Sequence, residues 1–248
     1  MPTMEDLADD LASAVGGPEI FAVYQPQVSL ESGSVVAAEA LCRWRHAQLG
    51  DIDPVTMIGV AERTGAIHAL GRRMLDECFD KLAEWRGTGR DWAVAVNVSP
   101  LQFEDESFAR HVADEFARRA LAPGSLVLEL PHDPPAIDDG SVRTQLRTLR
   151  EIGVEISLAG SDDQSPSLEL LDRLPVAEWK LPGHLVRSVE GDARAELRAQ
   201  VESAQGRGLR VVAEGIETLT HLDVAVALGC DRAQGFLIRE PDSEIEFP

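Results

Sequence analysis

Six polar residues sit immediately after apolar runs and are of types that can do chemistry: Glu39, Asn97, Glu129, Lys180, Glu214 and Gln234. Three carboxylates and two amides supply oxygens, and the lysine is the natural counter-ion for Glu39, Glu129 and Glu214. Thiol chemistry is a poor match. Cys42, Cys78 and Cys230 are widely spaced, show no CxxC or Cys/His ligand pattern and cannot all pair with one another, so they are expected as buried free thiols in a reducing compartment.

The elements that must position these residues follow from the periodicity. FAVYQPQVSL and VVAAEALCRW read as two strands joined by the tight turn ESGS, so the fold opens with an antiparallel pair. Helical spacing covers Pro54 to Arg63 and His68 to Trp85, followed by the buried strand WAVAVNVS. Strand and helix then alternate: a helix near Phe103 to Ala120, strand LVLEL, a helix near Val142 to Ile152, strand VEISLA, a short helix near Leu168 to Leu174, and strand AEWKL. A helix near Leu185 to Arg207, strand LRVVAEG, a helix near Leu219 to Leu228 and a short strand at Asp231 to Gly235 complete the series. Repeated βα units of about 30 residues imply parallel strands with right-handed crossovers and favour closure into a barrel. Sites in such barrels lie at the C-terminal ends of the strands, where the six polar residues fall.

Ahead of the barrel, Thr3 can cap a helix whose Leu7, Leu11 and Val15 share one face until Gly16-Gly17, and this stripe is expected to dock on the same domain. The domain reading is therefore an amphipathic helix over 1–18 and a barrel over 19–248. The 43 acidic against 23 basic residues give a formal net charge of −20, which opposes binding to genomic nucleic acid while leaving room for a local small-nucleotide site. No run of eighteen apolar residues and no signal-peptide pattern occurs, so a soluble cytoplasmic protein with no membrane partner is expected.

Eight pieces in order carry a family resemblance: YQP at 24–26, EALCRWRH at 39–46, AERTG at 61–65, VNVSPLQF at 96–103, LEL at 128–130, LPVAEWK at 174–180, AEGIET at 213–218 and GCDRAQGF at 229–236. Over nearly its whole length the chain resembles the EAL domain family of cyclic-di-GMP phosphodiesterases. The resemblance implies an α/β fold, a modified TIM (β/α)8 barrel with an antiparallel first strand. It also implies hydrolysis of cyclic-di-GMP to pGpG by two Mg2+ or Mn2+ ions roughly 3.5–4 Å apart, which needs hard oxygen ligands and a bridging carboxylate. Carried over by motif, Glu39, Asn97 and Glu129 would be metal ligands. Lys180 and Glu214 would be catalytic, and Gln25, Arg43 and Gln234 would meet the nucleotide, Arg43 at a phosphate.

One stretch departs from that pattern. Where the family carries DDFGTGYSSL, this chain has AGSDDQSPSL, and a gapless match from Gly153 to Pro175 puts Ala159 and Gly160 at the two aspartates. Asp162 and Asp163 lie three residues downstream, on the order of 10 Å of extended chain, so they could substitute only if the loop folded back on itself. His132 stands in place of a glutamate that braces the following loop, and Pro182 replaces the aspartate of KID. The expectation is a degenerate member with catalysis lost and no cofactor required. Glu39, Asn97 and Glu129 would then hold Mg2+ or Mn2+ weakly, with water completing the shell, or form a hydrogen-bonded mouth with no ion. The favoured role is binding an unidentified protein partner in signalling. The alternatives are a cyclic-di-GMP receptor that does not hydrolyse and, last, an active phosphodiesterase using Asp162 or Asp163. A homodimer through helices is left open.

Overall fold

A computed structural model describes residues 4–131, 140–160, 173–188 and 191–245. Among these, nine strands form one sheet: β1 (Ile20–Ser29), β2 (Val35–His46), β3 (Gly50–Ile52), β4 (Ala93–Asn97), β5 (Leu126–Leu130), β6 (Glu155–Ala159), β7 (Glu178–Leu181), β8 (Arg210–Ala213) and β9 (Arg232–Gln234). All but β3 close on themselves through the β1–β2 pairing. From β2 onward the barrel strands run parallel, whereas β1 is antiparallel to both of its neighbours, β2 and β9. The expected modified barrel with an antiparallel first strand is what forms.

The helices are α1 (Met4–Ala14), α2 (Pro54–Thr64), α3 (Ile67–Gly87), α4 (Ser107–Arg118), α5 (Gly140–Glu151), α6 (Gly183–Ser188), α7 (Gly191–Gly206) and α8 (Leu219–Leu228). Their apolar stripes close the outer layer. In α3 the buried set Leu70, Met74, Leu75, Cys78, Phe79, Leu82 and Trp85 keeps the i, i+3/i+4 spacing that puts one face on the strands. Small residues fill part of the interior, where Ala37, Ala93, Ala95 and Val127 pack together. At the opposite end from the strand C-termini, Arg210 pairs with Glu155 and Glu178 across β6, β7 and β8.

Helix α1 docks as expected. Leu7, Leu11, Ala14 and Val15 pack against Ile20, Trp44, Met57, Val60 and Leu70, and Asp10 Oδ2 meets His46 Nε2 at 3.0 Å. The expected cap at Thr3 and the short helix near 168–174 lie outside the described residues, apart from the latter's last two positions.

The structure departs from the sequence reading at four points. The chain after β2 folds back as β3, whose GDI is too short to show alternation. The expected helix from Phe103 to Ala120 is a 3-10 turn at Pro100–Glu104 followed by α4, because Asp105 leaves helical geometry and its carboxylate accepts from Ser107 N at 2.9 Å to start a new helix. The expected helix from Leu185 to Arg207 is α6 and α7, since Gly191 takes φ +57°, which no right-handed helix passes through. Cys78 and Cys230 are buried, but Cys42 is only half-buried because β2 overshoots the barrel there.

Candidate functional site

Strand register assembles the polar mouth. Gln25 lies opposite Glu39 across β1 and β2, Gln27 opposite Gln234 across β1 and β9, Asn97 opposite Glu129 across β4 and β5, and Ala159 opposite Lys180 across β6 and β7. Glu214 follows β8 directly, its N–H donating to the Leu181 carbonyl at 3.0 Å. Residues remote in sequence are thus neighbours because their strands are.

Lys180 is the centre. Its ammonium is 2.8 Å from Glu39 Oε2, 2.7 Å from Glu129 Oε2 and 2.8 Å from Glu214 Oε1, and its side chain is 2% exposed. Glu39 also accepts from Asn97 Nδ2 at 2.7 Å and from Gln234 Nε2 at 2.7 Å. Gln234 Nε2 reaches Gln25 Oε1 at 3.0 Å and its Oε1 accepts from Gln27 Nε2 at 3.0 Å. Eight side chains therefore form one connected network, and all six residues singled out at the strand ends belong to it.

The electrostatics divide the acids. Burial alone would raise Glu39, but the Lys180 charge and the hydrogen bonds from Lys180, Gln234 and Asn97 outweigh it and hold the carboxyl below its ordinary range. Glu129 goes the other way: burial first, then repulsion from Glu39, pushes it well up against the pull of Lys180. Glu214 is raised as well, chiefly by burial. Burial would discharge Lys180, yet the surrounding carboxylates drive it well above its ordinary value.

A pair of divalent ions does not fit this donor set. The oxygens of Glu39 are committed to Asn97, Lys180 and Gln234, and positions 159 and 160 contribute no side-chain oxygen. Glu129 Oε1 is buried without a hydrogen-bond partner among the described residues, which leaves one donor rather than a cage. No group of three or more His, Cys, Asp or Glu among the described residues is arranged to hold a metal ion. His132, Asp162, Asp163 and Gln164 lie outside the described residues.

Beside the network a cleft of ≈ 580 Å3 opens between β2, α2 and α3. Its floor reaches Asn97, Glu129 and Ala159, and its walls are mainly apolar, with Leu41, Met57, Ile58, Ile67 and Leu70 among them. Arg43 lines it and donates from Nη1 to the Cys42 carbonyl at 2.9 Å; no carboxylate pairs with it among the described residues. Cys42 faces the same space, its thiol pushed up to about 12 by burial. Gln27 was not anticipated, although its spacing of two from Gln25 on a strand places both on one face.

The chain belongs to the EAL domain family, whose sequence pattern matches residues 8–241. It is similar to the bifunctional diguanylate cyclase/cyclic di-GMP phosphodiesterase MucR of Pseudomonas aeruginosa, at 34% identity over 95% of this chain and 35% of that protein. It is also similar to the cyclic di-GMP phosphodiesterase PA2567 of the same organism, at 32% identity over 95% of this chain and 40% of that protein. The chain thus spans well under half the length of these two relatives. The solved structure of the MucR phosphodiesterase in complex with c-di-GMP superposes with a TM-score of 0.86 at 33% identity, covering 95% of this chain and 97% of that one. Among the described residues, no helix is long and apolar enough to cross a membrane.

Proposed function

We propose that this chain is a non-hydrolysing EAL domain of cyclic-di-GMP signalling whose output is the binding of a protein partner. The observation that carries the reading is the end of β6, where Ala159 faces Lys180 in register and Gly160 follows, so no carboxylate enters the mouth from that strand. Lys180 and its three acids instead pair with one another. Hydrolysis of a phosphodiester by a paired-ion mechanism needs a ligand bridging the two ions, and neither residue supplies one.

In this reading the network is a structural plug. Gln25, Asn97 and Gln234 fix Glu39, Glu39 fixes Lys180, and the mouth is presented as a rigid surface. The test is incubation with cyclic-di-GMP and Mn2+ with chromatography for pGpG. No product is expected; turnover at the rate of an active relative overturns the proposal, and turnover that disappears in Asp162→Ala/Asp163→Ala would assign it to the downstream pair.

A second reading, reception of cyclic-di-GMP without cleavage, is favoured by the cleft. Arg43 lines it with no carboxylate paired to it among the described residues, the apolar walls suit a base, and the MucR phosphodiesterase has been solved with this ligand. Titration calorimetry with and without Mn2+ tests it: heat that vanishes in Arg43→Ala supports reception, and no heat at high micromolar ligand excludes it.

A further inference from the structure

Gly160 and Pro182 occupy each other's space. The Gly160 N–H donates to the Lys180 carbonyl at 2.9 Å, which draws the end of β6 against the end of β7. A Cβ on residue 160 would stand 2.3 Å from both Cδ and Cγ of Pro182 and 3.0 Å from the Lys180 carbonyl oxygen. The ring cannot swing aside, because it is closed on its own backbone nitrogen with φ fixed, and Pro182 is buried. Only glycine fits at 160 while proline stands at 182.

That matters because Ala159, the last residue of β6 and in register with Lys180, and Gly160, the residue after it, bring no carboxylate to the mouth. Position 159 is open: Ala159 lines the cleft. Position 160 is shut, and shut from the neighbouring strand rather than by its own identity.

From this contact we infer that Pro182 is a specificity-determining residue of the mouth: it excludes any side chain at 160, so the end of β6 can present one added carboxylate, at 159, and not an adjacent pair. The inference rests on the non-hydrolysing reading above but makes a separate claim, that a pair of acids at 159 and 160 cannot be seated while Pro182 stands.

The experiment is a double-mutant cycle with two readouts, unfolding and Mn2+ binding by calorimetry, neither of which uses turnover. In unfolding, Gly160→Ala is expected to lower the midpoint by several degrees in the parent and to be nearly neutral once Pro182→Ala is present; additive effects, or a neutral Gly160→Ala in the parent, overturn the inference. In binding, Ala159→Asp/Gly160→Asp/Pro182→Ala is expected to hold Mn2+ about tenfold or more tighter than Ala159→Asp/Gly160→Asp, since an added carboxylate raises cation affinity only where it can reach the ion; equal affinity overturns the inference. Should the β6 double variant fail to fold, recovery of folding by Pro182→Ala supports the inference and continued failure overturns it. Cyclic-di-GMP turnover by the parent would sink the non-hydrolysing reading while leaving the coupling between 160 and 182 standing, so the two failures are distinguishable.

Discussion

Lys180 shows why a buried charge persists among buried carboxylates. Removing it leaves Glu39, Glu129 and Glu214 facing one another in a desolvated mouth, so Lys180→Met is expected to cost about 3–5 kcal/mol, read from the urea midpoint. The raised Glu129 carboxyl sets a pH dependence of definite sign. Between its ordinary value of 4.5 and its raised value, the folded chain holds a proton that the unfolded chain has released. Stability therefore declines as pH rises through that window, whereas the depressed Glu39 loses its contribution as pH falls below 4.5. Glu129→Gln keeps a neutral partner for Lys180 and is expected to flatten the decline; a parent whose midpoint rises with pH across that window would contradict the assignment. These residues were legible as types at strand ends. Their division into one depressed and two raised acids was not, because it depends on which oxygens Asn97 and Gln234 reach, and those distances are set by register.

At the scale of elements, α1 and the two-layer wall beneath it are one packing unit. Leu11 is fully buried against α2 and the end of β2, and Met57 and Leu70, which it helps to cover, also line the cleft. Leu11→Ala is expected to cost about 2–5 kcal/mol in urea unfolding, while the exposed Ser13→Ala stays near neutral. If Leu11→Ala proves silent, α1 is not part of the fold's cooperative core. The alternation of apolar runs was enough to place every barrel strand, because strands buried on both faces are continuous apolar stretches and their polar ends mark the mouth. It did not show β3, whose three residues lie below the length at which alternation is visible, nor the breaks at Asp105 and Gly191, which depend on capping and on a positive φ rather than on hydrophobic period. The closure of position 160 was equally invisible: Pro182 could be seen as a missing carboxylate, but its contact with Gly160 joins residues of two adjacent strands.

For the molecule as a whole the −20 charge surrounds a cleft lined by Arg43, which has no carboxylate partner among the described residues. The global field repels an anionic ligand that the local guanidinium attracts, and salt screens the distant charges first, with a Debye length of about 10 Å at 0.1 M. Affinity for cyclic-di-GMP, if reception operates, is therefore expected to rise with moderate added NaCl; a steep fall would show that Arg43 and its neighbours dominate instead.

The antiparallel β1 also decides where this barrel is connected to anything else. In a barrel whose strands all run one way the chain enters at the end remote from the functional face. Here β1 begins beside Trp44, toward the mouth end of β2, and Asp242 returns to bridge Tyr24 near the same rim. The chain thus enters β1 from the mouth end, and α1 is the first thing an incoming segment would push. A sensor or reporter fused ahead of Met4 has a path of one helix to the cleft wall, so a fluorophore placed there should register occupation of the mouth that one placed beside Arg210 would miss.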